Sequence, residues 1–167
     1  MARYPVPRSA LGSALYIAQE ECGGWVPPEA IHDVAEVMGL EPTDVQSMMS
    51  FYVMYNKEPV GKYLLEICHN ISCAVMGCGK LFDVVHRKCG IGPGETSEDG
   101  LFTLKGVECS AACGGAPVVQ VNGMYHERIT PEQLDTLLDQ LRAEGGPREN
   151  LYNAAYAPET TPRREGA

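Results

Sequence analysis

Apolar positions in the first third of the chain recur at helical spacing. Between Arg8 and about Cys22, the residues Leu11, Leu15, Ile17 and Ala18 mark one stripe, and Cys22-Gly23-Gly24 supplies a stop. After the connector Trp25-Val26-Pro27, Pro28 fits a first helical turn; Ile31, Val34, Ala35 and Met38 form the apolar face, and Gly39 ends it. Pro42 and Thr43 open a third helix carrying Val45, Met48 and Met49, and the order Thr43-Asp44-Val45-Gln46 fits a capping box. Residues 8 to about 56 read as a small helical bundle.

At Pro59-Val60-Gly61 the pattern changes. Tyr63-Leu64-Leu65-Glu66-Ile67 is too short for a helix between its flanks and reads as a buried strand. Ala74 to Lys88 predicts a helix with Val75, Leu81, Val84 and Val85 inward and Gly90 as its cap, which stands Cys73 at the helix start. Behind turn chemistry at Gly92-Pro93-Gly94 and Glu98-Asp99-Gly100, Leu101 to Leu104 reads as a second strand, with Cys109 beyond its end. Pro117 to Val121, then Asn122-Gly123, then Met124 to His126 predicts a hairpin on a two-residue turn. Thr130-Pro131 opens a last helix with Leu134, Leu137, Leu138 and Leu141 on one face. The order strand, helix, three strands, helix is thioredoxin-like: an α/β domain whose four-stranded mixed sheet carries both helices, its first two strands parallel by the crossover rule. The expected division is a helical bundle over 1–57, this domain over 58–146, and an extended or disordered tail over 147–167, where no apolar period is sustained.

Composition narrows the classes. Hydrophobic residues make up 44% and charged residues 21% of the 167, as in folded soluble proteins. Twenty-two acidic against thirteen basic residues give a net charge of -9, which repels nucleic acid and anionic lipid. No export signal and no membrane-spanning run is legible, so a cytoplasmic chain without direct membrane insertion is expected. In a reducing compartment the seven cysteines are metal ligands or free thiols rather than disulfides.

Four of them form two close pairs at strand ends: Cys68 and Cys73 with four residues between, and Cys109 and Cys113 with three between. Two such loops at one edge of one sheet converge four thiolates, which suit a tetrahedral zinc or the two irons of a 2Fe-2S cluster. Structural zinc hooks usually have two residues between cysteines, so hooks of four and three favour the larger iron-sulfur object. Small residues (Ser72, Ala74, Ser110, Ala111, Ala112, Gly114, Gly115 and Ala116) leave room for inorganic sulfides and for backbone amides to reach them.

These pairs, with Pro59-Val60-Gly61-Lys62, Gly92-Pro93-Gly94-Glu95, Cys113-Gly114-Gly115-Ala116-Pro117, Gly24-Trp25-Val26-Pro27 and Phe51-Tyr52, resemble the thioredoxin-like 2Fe-2S ferredoxins over roughly residues 8 to 144. Within that family the likeness is closest to the E subunits of bacterial NADH-quinone oxidoreductase, respiratory complex I, and their mitochondrial counterpart. The resemblance implies that Cys68, Cys73, Cys109 and Cys113 carry over as the ligands of one 2Fe-2S cluster. It implies an electron-transfer role in the peripheral arm on the cytoplasmic side of the inner membrane. The implied partner is the F subunit of the same complex, which binds FMN and NADH and whose reduced flavin gives up one electron, with this cluster beside the main chain of clusters. On that reading the oxidoreductase reaction belongs to the assembly, and this chain has no catalytic residue of its own. NAD-linked formate dehydrogenases and hydrogenases use similar subunits and are the alternative assemblies; a non-redox four-cysteine zinc module is the alternative chemistry.

Other motifs lack partners. Cys78 repeats the four-residue spacing after Cys73 but falls more than a turn inside the expected helix, and Cys22 and Cys89 stand alone near helix ends. There is no Cys-x-x-Cys for disulfide exchange, no Gly-x-Ser-x-Gly elbow and no glycine-rich nucleotide loop. His69 beside Cys68 is a Rieske-type ligand only if a cysteine is spared, and four are present.

Overall fold

The computed structural model describes residues 4–144. They form two compact units that divide between Pro59 and Val60. The tail predicted over 147–167 lies outside the described residues.

In the first unit a 3-10 turn at Pro7–Ala10 leads into α1 (Leu11–Glu21), followed by α2 (Pro28–Met38) and α3 (Pro42–Phe51). Their core is Leu11, Leu15, Val26, Ile31, Val34, Met38, Val45 and Met49. Gly39, at φ 63°, closes α2 in the left-handed region that glycine adopts without steric cost. Two expectations are corrected. Ile17 is 58% exposed and belongs to the outer face of α1. The capping box at Thr43 does not form: Pro42 takes the first helical position, where its fixed φ is preorganised, so extended Glu41 becomes the N-cap and Thr43 falls inside the first turn. A buried polar knot ties the segment after α3 back to α1. Gln19 Oε1 accepts the Asn56 N–H at 2.6 Å, and Asn56 Nδ2 donates to Gly24 O at 2.8 Å. The Tyr55 hydroxyl donates to Gly12 O at 2.9 Å, and burial, with the charge of Tyr52, pushes it up to about 12.

The second unit runs β1 (Tyr63–Cys68), α4 (Ile71–Val75), α5 (Gly79–Cys89), β2 (Phe102–Val107), β3 (Val118–Val121), β4 (Met124–Glu127) and α6 (Pro131–Ala143). The sheet order is β2-β1-β3-β4, with β1 and β2 parallel and the other neighbours antiparallel, as the thioredoxin-like reading expected. β1 lies inside the sheet and is apolar along nearly its whole length; Leu65, Ile67, Phe102, Leu104 and Val119 are almost fully buried. Helices α5 and α6 pack against each other and share one core with the strands through Leu81, Val84, Val85, Leu134, Leu138 and Leu141. Lys88 Nζ clamps the two helices, 2.6 Å from Asp135 Oδ2 and 2.7 Å from Asp139 Oδ2. The capping box that does form is Thr130 with Gln133 at the start of α6.

The helix predicted over Ala74 to Lys88 is two helices. Gly77 at φ 86° breaks the ladder after α4, and Cys78 becomes the N-cap of α5. Cys73 therefore sits inside the short α4 rather than at the start of a long helix, and Val75, expected inward, is 79% exposed. Gly61, at the entry to β1, passes so close to β2 that an added Cβ would lie 3.0 Å from the Gly100 and Leu101 carbonyl oxygens.

Candidate metal centre

Both cysteine loops leave the sheet at the same end. Cys68 ends β1 and is the register partner of Val107, the last residue of β2, while the His69 N–H donates to Val107 O at 3.0 Å. In the first loop the Asn70 side chain caps α4 by accepting the Ile71 N–H at 2.8 Å. This turns the chain so that Cys73 is buried beside Cys68, at 2% and 3% exposure. In the second loop Ala111 takes φ 57°, which bends the chain between Cys109 and Cys113 and aims its N–H at Cys109 Sγ, 3.3 Å away. Cys113 opens the 3-10 turn Cys113–Gly115, and its sulfur stands 3.9 Å from that of Cys109. That separation is close to the ~3.8 Å between two sulfurs on one tetrahedral centre with metal–sulfur bonds of ~2.3 Å.

The thiols perturb one another. Burial opposes ionisation of Cys68, but the N–H groups of Asn70 and Ser110 and the Cys73 thiol outweigh it and lower Cys68 below the ordinary thiol value. Cys73, pushed up to about 11 by burial and then by its hydrogen bond to Cys68, keeps the proton. The hydrogen bond and charge of Cys109 raise Cys113, which also responds to the charge of Cys68 and to the Ser72 hydroxyl. Four thiolates there repel one another, so full deprotonation needs a positive centre among them. Among the described residues no three His, Cys, Asp or Glu side chains close on one point as a mononuclear site requires. Two sulfur pairs with small neighbours fit a two-iron cluster better than a single ion.

The remaining candidates separate. Cys78 is not inside a helix, as the sequence suggested, but buried at the α4–α5 junction, where burial and the charge of Cys68 raise it. Cys22 lies in the helical unit and Cys89 at the far end of α5. The His69 ring lies along Gly106 of β2. Sequence reasoning counted Ser72 and Ser110 only as small neighbours. The Ser72 hydroxyl acts on the Cys113 sulfur, and the Ser110 hydroxyl is buried without a hydrogen-bond partner among the described residues; a serine beside each pair was the available signal. Beside this end an open cleft is lined by Ile71, Val75, Met76, Lys80, Arg128 and Cys113, among others.

Residues 1–142 match the family model described as thioredoxin-like [2Fe-2S] ferredoxin. The chain belongs to that family. Its cofactor is one 2Fe-2S cluster, and its chemistry is one-electron transfer. Among relatives, an E subunit of the NADH-quinone oxidoreductase of Rhizobium meliloti, the one numbered E 2, is 42% identical, over 85% of this chain and 84% of that protein. The second subunit of the NADH-quinone oxidoreductase of Thermus thermophilus is 43% identical, over 85% and 80%. The fold of this 2Fe-2S ferredoxin also recurs in an NAD+-reducing [NiFe]-hydrogenase at TM-score 0.70 and 19% identity, covering 82% of this chain and 23% of the hydrogenase chain. Among the described residues no helix is long and apolar enough to cross a membrane.

Proposed function

We propose that Cys68, Cys73, Cys109 and Cys113 hold the 2Fe-2S cluster, and that this chain accepts electrons beside a flavoprotein, the F subunit, in an NADH-quinone oxidoreductase of the complex I type. The observation that carries the first half is the pairing of four thiols at one sheet end, with a 3.9 Å sulfur separation in the second pair. The names borne by relatives above 40% identity support the second half.

When bound, the cluster supplies a centre that takes up and releases single electrons. The protein's part is to hold and shield it. Cys68 and Cys73 enter from the buried side and Cys109 and Cys113 from the exposed side, so one edge of the site faces outward, toward an electron donor. Peptide N–H groups of Asn70, Ser110 and Ala111 point at ligand sulfurs and offset their negative charge. Ile71 and Val75, 75% and 79% exposed beside Cys73, offer an apolar rim for the flavoprotein to cover. NADH and FMN belong to the partner, and this chain neither binds nucleotide nor carries out hydride transfer. In the enzyme the chain is an electron carrier in the arm on the cytoplasmic face of the membrane.

Anaerobic mixing tests this. NADH with the FMN-bearing partner should bleach the visible absorption of the loaded chain by one electron per chain, while NADH alone leaves it unchanged. Reduction by NADH without a flavoprotein, or none with it, contradicts the proposal.

A further inference from the structure

The peptide unit that joins Ser110 to Ala111 is hydrogen-bonded at both ends. Its carbonyl, Ser110 O, accepts the Tyr125 hydroxyl of β4 at 2.9 Å. Its N–H, that of Ala111, donates to Cys109 Sγ at 3.3 Å. The two groups point in opposite directions across one planar, conjugated amide, so a bond that pins the carbonyl also aims the N–H. The local backbone does not favour this orientation, because Ala111 is held at φ 57°, a region that alanine rarely enters unaided. The two bonds impose it. The rest of the loop is fixed separately, by residues just past the end of β4. Arg128 donates its N–H to Gly115 O at 2.7 Å and its guanidinium to Gly114 O at 3.3 Å, and the Ile129 N–H donates to Pro117 O at 3.4 Å. Tyr125 itself is 44% exposed on the edge strand of the sheet, so removing its oxygen opens no cavity in the core. Loss of that hydroxyl therefore releases one amide and leaves the loop in place.

We propose that Tyr125 is a positioning residue that raises the reduction potential by acting through this amide on the Cys109 sulfur. This rests on the reading of Cys109 as a cluster ligand. One-electron reduction adds negative charge that spreads onto the ligand sulfurs, and a hydrogen bond strengthens as its acceptor becomes more negative. The Ala111 N–H therefore stabilises the reduced form more than the oxidised form. The Tyr125 hydroxyl draws electron density toward the Ser110 carbonyl oxygen, which polarises the amide and makes its N–H a better donor. Hydroxyl, amide and sulfur then work as one hydrogen-bond chain, each link strengthening the next. The electron comes from the external donor; no proton leaves Tyr125 or Ala111 and no covalent bond changes.

The test uses the full chain loaded with iron and sulfide, as wild type and as Tyr125→Phe. Redox titration gives the potentials, and resonance Raman spectra in H2O and D2O report hydrogen bonding to the iron-bound sulfurs. Tyr125→Phe should load the same iron and sulfide as wild type. Its equilibrium constant for reduction should fall about threefold, about 28 mV for one electron. The deuterium shift of an iron–cysteine stretch, present in wild type, should shrink in the variant. Equal potentials overturn the proposal. A lower potential with an unchanged deuterium shift overturns it equally, because the effect then bypasses the amide. A variant that loads no iron while wild type does makes Tyr125 a structural support only, which also overturns it. Failure of the ligand reading is seen separately, as a wild-type chain without iron or a Cys109→Ala variant that keeps its cluster.

Discussion

Asn122 reaches from the hairpin turn to the strand that carries Cys68. Its side-chain Oδ1 accepts the Leu64 N–H at 2.8 Å, its Nδ2 donates to Lys62 O at 2.9 Å, and its own N–H donates to Leu64 O at 3.0 Å. An asparagine at φ 48° followed by Gly123 at φ 86° is the ordinary chemistry of a two-residue hairpin turn. Here the same side chain also replaces the missing strand partner for the start of β1, on the end of the sheet away from the cysteines.

Replacing Asn122 by Ala leaves that buried N–H unpaired, removes one partner from the Lys62 carbonyl and strains the turn. A loss of about 1–3 kcal/mol is expected, read by urea unfolding of the loaded chain. Asn122→Gly, which relieves the strain but not the lost bonds, should recover only part of it. A glycine variant as stable as wild type would show that the side-chain bonds contribute little.

The α5–α6 clamp has a pH signature. Asp135 and Asp139 raise Lys88, and Lys88 in turn lowers Asp135. A raised lysine contributes stability that is fully present below its unfolded value and lost as pH rises through its folded value. A lowered carboxylate contributes stability present above its unfolded value and lost as pH falls through its folded value. Lys88→Met should therefore melt below wild type by a constant margin between roughly pH 6 and 9, and the margin should shrink at both extremes. A margin that does not change with pH would mean that packing rather than charge holds the helices together.

The helical unit keeps Val37, Phe51 and Val53 largely exposed, each at 78% or more. So much unburied apolar surface on a small bundle fits a docking role. Deletion of residues 1–56 should leave the visible spectrum of the cluster intact and abolish co-elution with the flavoprotein on size exclusion. Persistent co-elution of the shortened chain would show that the helical unit is not needed and that the rim at Ile71 and Val75 suffices for docking.

Local pattern carried much of the fold. The Leu134, Leu138 and Leu141 stripe, the Asn122-Gly123 turn and the short apolar run of β1 are signals contained within a few residues, and each appears where the pattern put it. What failed depends on context that the pattern does not hold. Val75 and Ile17 are apolar yet exposed, because apolar character says only that a side chain can be buried. Gly77 was compatible with a continuous helix, and a lone glycine does not announce the left-handed φ of 86° at which α4 ends. Thr43 resembled a cap by spacing, but Pro42 had already fixed the helix start. At the site, the strand-end positions of Cys68 and Cys109 were legible from chain order. The left-handed turn at Ala111 was not, because nothing local in Ser110-Ala111-Ala112 marks a non-glycine residue for φ 57°.

The central claim is that four cysteines, and not Cys78, hold one two-iron cluster. Iron and acid-labile sulfide per chain, measured together in wild type, in Cys78→Ala and in the single alanine variants of Cys68, Cys73, Cys109 and Cys113, test it directly. Two irons and two sulfides are expected in wild type and in Cys78→Ala, with the cluster lost or strongly depleted in the other four. A colourless chain with one zinc and no sulfide, or a cluster that survives loss of one of the four but not loss of Cys78, would contradict it.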